Sequence, residues 1–180
     1  MGPWQVQADV LSIDDAIKSG QLTLEQARQE YQNALYQARS QHDKCEAEVK
    51  ETTEHEAASR YALEQKEAEI KKLWEEIEQE EKAVQNYKER GNMDAAASAQ
   101  ARCDSLYADV ARHEEQRKQL WRFHQSDVED LEAALADEKL TAEILKDVEV
   151  GVANRLRTLE EFEESSRNKL TAKRNLIFTK

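Results

Sequence analysis

From Leu24 onward the apolar residues return at alternating steps of three and four. One series runs Leu35, His42, Val49, Glu56, Leu63, Ile70, Ile77 and Val84; its companion runs Leu24, Tyr31, Ala38, Cys45, Thr52, Ser59, Lys66, Leu73, Glu80 and Tyr87. This is the heptad period of a helix that buries one narrow seam against another helix. The seam is strongly apolar at both ends and polar in its middle, where Thr52, Glu56, Ser59 and Lys66 occupy core positions.

A second stretch repeats the pattern through Ala96, Ala99, Cys103, Leu106, Val110, His113, Arg117, Leu120 and His124. Two successive steps of four, from Leu120 through His124 to Val128, then read as a stutter. The larger apolar residues carry the register on through Leu131, Leu135, Glu138, Ala142, Leu145, Val152, Leu156, Leu159, Ser166 and Leu170.

Breakers are scarce. Pro3 is the sole proline and the four glycines are Gly2, Gly20, Gly91 and Gly151. Gly91-Asn92 falls between the two patterned stretches, so the predicted fold class is all-α: a long antiparallel helical hairpin, a coiled coil, preceded by a short N-terminal helix. The expected divisions are an arm and short helix over 1–22, a first long helix over 23–90, a turn at 91–92, a second long helix over 93–175 and a tail over 176–180. Asp137 to Thr141 and Gly151 are candidate breaks in the second helix.

At the start of the chain, residues 1–11 read as an arm and Ser12 as the cap of the short helix, with Asp14 and Asp15 in its first turn. Thr23-Leu24-Glu25-Gln26 matches a capping box, with Leu22 placed to staple onto Ala27. Folding at Gly91 sets residue i opposite roughly residue 182 − i. Leu73 and Trp74 then meet Leu106 to Val110, and the polar Thr52–Ser59 stretch meets Phe123 to Asp130.

Charge narrows the function classes. The chain carries a net charge of −12, with 36% charged residues and a mean hydropathy of −0.92. An acidic surface is the wrong sign for nucleic acid and unfavourable for an anionic membrane. No apolar run approaches the ~20 residues of a membrane span, and Met1 to Gln5 lack a signal-peptide pattern. A cytoplasmic protein is expected.

Nothing in the chain reads as an active site or a cofactor motif. There is no phosphate-binding glycine loop and no nucleophile elbow, and a two-helix rod has little interior in which polar groups converge. The Glu75–Glu81 and Glu160–Glu164 carboxylates read as solvated faces. A Glu-x-x-His metal motif is absent. His42 and Cys45, with Asp137 or Glu138 opposite, form a distant zinc alternative by residue type alone. Cys45 and Cys103 fall ~50 Å apart along a folded hairpin, too far to pair, and read as small apolar seam residues.

Interaction chemistry is what remains. Trp74 and Trp121 lie one position beyond Leu73 and Leu120, so they either receive a further helix or form an exposed docking patch. The last residues, with Arg167, Lys169, Lys173, Arg174 and Lys180, carry +5 with no acid among them, beside Leu170, Leu176, Ile177 and Phe178. Cations there either complement the helix dipole or dock on an acidic surface. The leading expectation is a non-enzymatic coiled-coil scaffold or adaptor binding other helical proteins or itself, as in cytoskeletal or filamentous assemblies. The alternative is a membrane-associated module recruited by its basic end.

Overall fold

The computed structural model describes residues 4–178, with side chains up to Ile177. It is 95% helical and, among the described residues, without strands. Three helices follow in order: α1 (Gln5–Lys18), α2 (Leu24–Glu89) and α3 (Met93–Phe178). The long α2 packs against the long α3, forming a helical hairpin after a short N-terminal helix.

The turn is built by helix-capping chemistry. Gly91 adopts φ +78°, a left-handed conformation that costs glycine nothing and strains other residues. Its N–H donates to Lys88 O at 3.1 Å and the Asn92 N–H donates to Tyr87 O at 2.9 Å, which together satisfy the last carbonyls of α2. The Asn92 side chain then accepts from the Ala95 N–H at 3.1 Å and starts α3. Gly20 closes α1 in the same way at φ +74°. The Thr23 capping box forms: Gln26 N–H donates to Thr23 Oγ1 at 3.2 Å, and Thr23 N–H donates to Gln26 Oε1 at 3.0 Å.

By its internal contacts the chain divides into two compact units, Met1–Val49 with Ala134–Lys180, and Lys50–Ala133. The first has a three-helix core. Val6, Val10 and Ile13 of α1 join Ala27, Tyr31, Ala34 and Ala38 of α2 and Ile144, Val148, Val152 and Leu159 of α3. The small alanines on α2 leave room for α1 to lie close. This packing moves the start of α1 from Ser12, the expected cap, back to Gln5. Trp4 precedes it without a side-chain cap bond, so burial of Val6 and Val10, rather than a cap, holds the first turn.

The second unit is a two-helix core of Leu63, Ile70, Ile77 and Val84 from α2 with Ala96, Ala99, Cys103 and Val110 from α3. Every α2 seam position from Leu24 to Tyr87 is buried or half-buried.

Along α3 the register differs from the sequence expectation. Beyond His124, the residues Asp127, Val128 and Leu131 are half-buried; burial then runs through Ala134, Glu138, Thr141, Ile144, Val148, Val152, Arg155 and Leu159, so it leaves the expected register at Leu135. Two successive steps of four fall at Ile144, Val148 and Val152, where α1 joins the core. Ala134 is 2% exposed and its larger neighbour Leu135 is 48% exposed. Thr141 is tolerated inside because its hydroxyl bonds back to the Asp137 carbonyl at 2.9 Å, so no polar group is stranded. Neither Asp137 to Thr141 nor Gly151 interrupts α3, and the helix runs through 176–178, where a tail was expected.

Candidate functional site

Where the seam repeats, the residue four positions further on lies beside it, on one flank. On α2 that position after Ile70 is Trp74; on α3 the positions after Cys103 and Arg117 are Tyr107 and Trp121. Antiparallel packing brings the first two together: the Trp74 and Tyr107 rings meet edge to face with centroids 5.8 Å apart and planes at 79°. Edge-to-face geometry puts one ring's positive rim on the other's negative face.

These rings are not sealed from water. Trp74 remains 45% exposed and Tyr107 42%, and Trp121 is 50% exposed. The third helix, α1, has its buried face in the core of the first unit. Phe123 is exposed as well.

The two aromatic spots differ in charge. Around Trp74 and Tyr107, helical spacing places Glu67, Glu78 and Glu81 on α2, with Lys71 among them, and Asp104 and Glu114 on α3. Tyr107 donates its hydroxyl to Glu81, and that hydrogen bond holds the phenol above its ordinary pKa. Trp121 sits instead against Arg117, Lys118 and Arg122.

The basic segment of α3 is helical and exposed. Among the described residues Arg167, Lys169, Lys173 and Arg174 form no ion pair, and Leu170, Leu176 and Ile177 are exposed. Among the described residues no basic side chain lies in the last turn, so Arg167, Lys169, Lys173 and Arg174 stand back from its carbonyls. Lys180 and the Phe178 side chain lie outside the described residues.

The His42–Cys45 region opens on a groove of about 530 Å³ in the first unit, lined by residues including Tyr36, Cys45, Asp137, Leu140 and Thr141. His42 engages Thr141 Oγ1 through Nδ1 at 3.2 Å and Glu46 through Nε2 at 2.8 Å. Among the described residues no three His, Cys, Asp or Glu side chains are grouped to hold a metal ion. Cys103 is buried with Val84 and Ala99, whereas Cys45 is only half-buried at this groove.

Other polar seam positions are paired across the hairpin. His124 Nε2 lies 3.1 Å from Glu56 Oε1, and Lys66 Nζ lies 3.1 Å from His113 Nδ1 and 2.9 Å from Gln116 Oε1. Two carboxylates from the apparent solvated runs also cross between helices: Glu80 takes Arg102 at 3.1 Å and Glu163 takes Arg28 at 2.8 Å.

Sequence reasoning missed Tyr107, although its place four residues after Cys103 repeats that of Trp74 after Ile70. It also missed the pairing of Asp14 with Arg155, which joins residues on opposite ends of the chain. Among the described residues no helix is long and apolar enough to cross a membrane. No protein-family model matches the chain, and neither does a curated protein or a solved structure.

Proposed function

We propose that the protein is a non-enzymatic helical scaffold or adaptor, acting in the cytoplasm through helix-on-helix docking, of the kind used in cytoskeletal or filamentous assemblies. The observation that carries this reading is the exposed aromatic flank of the second unit, Trp74 with Tyr107 and, further along α3, Trp121. Large apolar rings left in water beside a completed seam are a cost to a free protein and an asset to one that receives another helix. Trp and Tyr are also the side chains that most often dominate a protein interface.

A photo-crosslinking amino acid placed at Trp74, in the protein in its native source, tests the reading. The expected products join position 74 to helical, heptad-patterned segments, and they disappear when Tyr107 and Trp121 are changed to Ala. Protein that stays uncrosslinked and monomeric would overturn it.

A further inference from the structure

Two exposed features of the same chain complement each other in shape class and in charge. On the last turns of α3, Leu170, Lys173, Arg174 and Ile177 fall at spacings of three, four and seven, so they share one helical face. That face reads apolar, basic, apolar, and its cations form no ion pair among the described residues. On the second unit, the Trp74–Tyr107 pair offers an apolar centre framed by Glu67, Glu78, Glu81, Asp104 and Glu114, with Lys71 as the one cation among them. Glu78 already pairs with Lys82 and Glu114 with Arg117, which leaves the patch acidic on balance. Aromatic faces attract guanidinium and ammonium groups, and the surrounding carboxylates reinforce that attraction. The Trp121 spot, set among Arg117, Lys118 and Arg122, offers the same segment no such attraction, although Arg117 pairs with Glu114 and Lys118 with Glu115.

We infer that the basic end of α3 in one copy docks on the Trp74–Tyr107 face of a second copy, an inference that rests on the scaffold reading above and names its partner. Lys173 and Arg174 sit over the aromatic pair and its carboxylates, and Leu170 and Ile177 cover the ring edges. The patch used on one copy differs from the patch used on the other, so the contact is heterologous. A copy docked through one such contact still presents a free face and a free end, and these are used either reciprocally, in a closed ring of two or more copies, or by further copies in an open chain.

The test is sedimentation velocity on the full chain over a concentration series. Concentration-dependent association beyond the monomer is expected, and raising the salt from ~50 to ~500 mM, which shortens the screening length, reverses it. Two charge-reversed variants follow: Lys173→Glu with Arg174→Glu, and Glu67→Lys with Glu78→Lys. Each alone should lose association by about tenfold or more while its far-UV circular dichroism stays unchanged. Mixed together they restore complementary end and face, so the mixture should associate again.

Trp74→Ala should weaken wild-type association without reversing any charge. Association that persists in either charge variant, or variants that fail to associate when mixed, would overturn the proposal. So would a wild-type chain that remains monomeric, including one whose basic end instead sediments with anionic vesicles. A monomeric wild type that still crosslinks from position 74 to other heptad helices would sink this contact alone and leave the scaffold reading standing.

Discussion

Arg155 of α3 grips Asp14 of α1 with two prongs, Nε at 2.9 Å from Oδ1 and Nη2 at 2.8 Å from Oδ2, and Tyr31 of α2 donates its hydroxyl to the same carboxylate. One side chain from each helix of the first unit thus meets at one point. Burial pushes the Asp14 carboxyl up, but the hydrogen bonds from Arg155 and Tyr31 outweigh it and the pKa lies below its ordinary value. Burial and the same carboxylate push the Tyr31 phenol up.

The sign of the acid response follows. A carboxyl with a depressed folded pKa contributes stability above the ordinary Asp value of about 3.9 and loses it as pH falls through the lower folded value. Acidification below about pH 4 should therefore loosen α1, seen as averaging of the Val6 and Val10 methyl signals by NMR. Asp14→Asn should cost about 1.5–3 kcal/mol at neutral pH, the range for a hydrogen bond to a charged group. It should also abolish that part of the acid dependence in thermal melts.

Gly151 is coupled to that grip. A Cβ placed there would lie 2.9 Å from Arg155 Nη1, the guanidinium nitrogen not bonded to Asp14. Gly151→Ala removes a helix penalty of about 1 kcal/mol but pushes on Arg155, so in the wild-type background it should change stability little. In an Arg155→Ala background the same substitution should stabilise by about 1 kcal/mol, a non-additivity that a double-mutant cycle reads directly.

The α3 register has its own test. Ala134→Asp should destabilise by about 3 kcal/mol because it buries an unpaired charge, whereas Leu135→Asp should stay within about 0.5 kcal/mol. Equal effects in urea melts would restore the register through Leu135.

The hairpin itself predicts a distance. Spin labels at positions 74 and 108 should report a short separation in dilute protein, as the ring contact of Trp74 with Tyr107 requires. One continuous helix through Gly91 would separate those labels by ~50 Å.

The α2 seam was legible because each of its positions repeats over many heptads, so isolated polar entries such as Glu56 and Lys66 do not disturb the count. The α3 seam beyond His124 was not, because two adjacent series compete there. Leu135 outweighs Ala134 in hydrophobicity, while packing selects Ala134 and lets Thr141 satisfy itself on its own backbone. The start of α1 was hidden for a related reason: nothing local caps it, and the burial that holds it depends on residues from both long helices. The aromatic flank was half legible. Trp74 and Trp121 stand out by size, but Tyr107 acquires meaning only when the turn at Gly91 brings it to Trp74.

The polar pairs inside the seam of the second unit act as alignment keys. Sliding α3 by one heptad, ~10 Å, would keep the period of apolar contacts and so costs little by that measure alone. It would, however, move Lys66 from His113 to Leu106 or Leu120, and Glu56 from His124 to Arg117 or Leu131. Three of those four placements strand an ionised group against leucine. A mis-threaded hairpin is therefore penalised twice, by the loss of the capped turn at Gly91 and by the stranded charges, and the weak middle of the seam adds to the turn in telling the two helices where to stop.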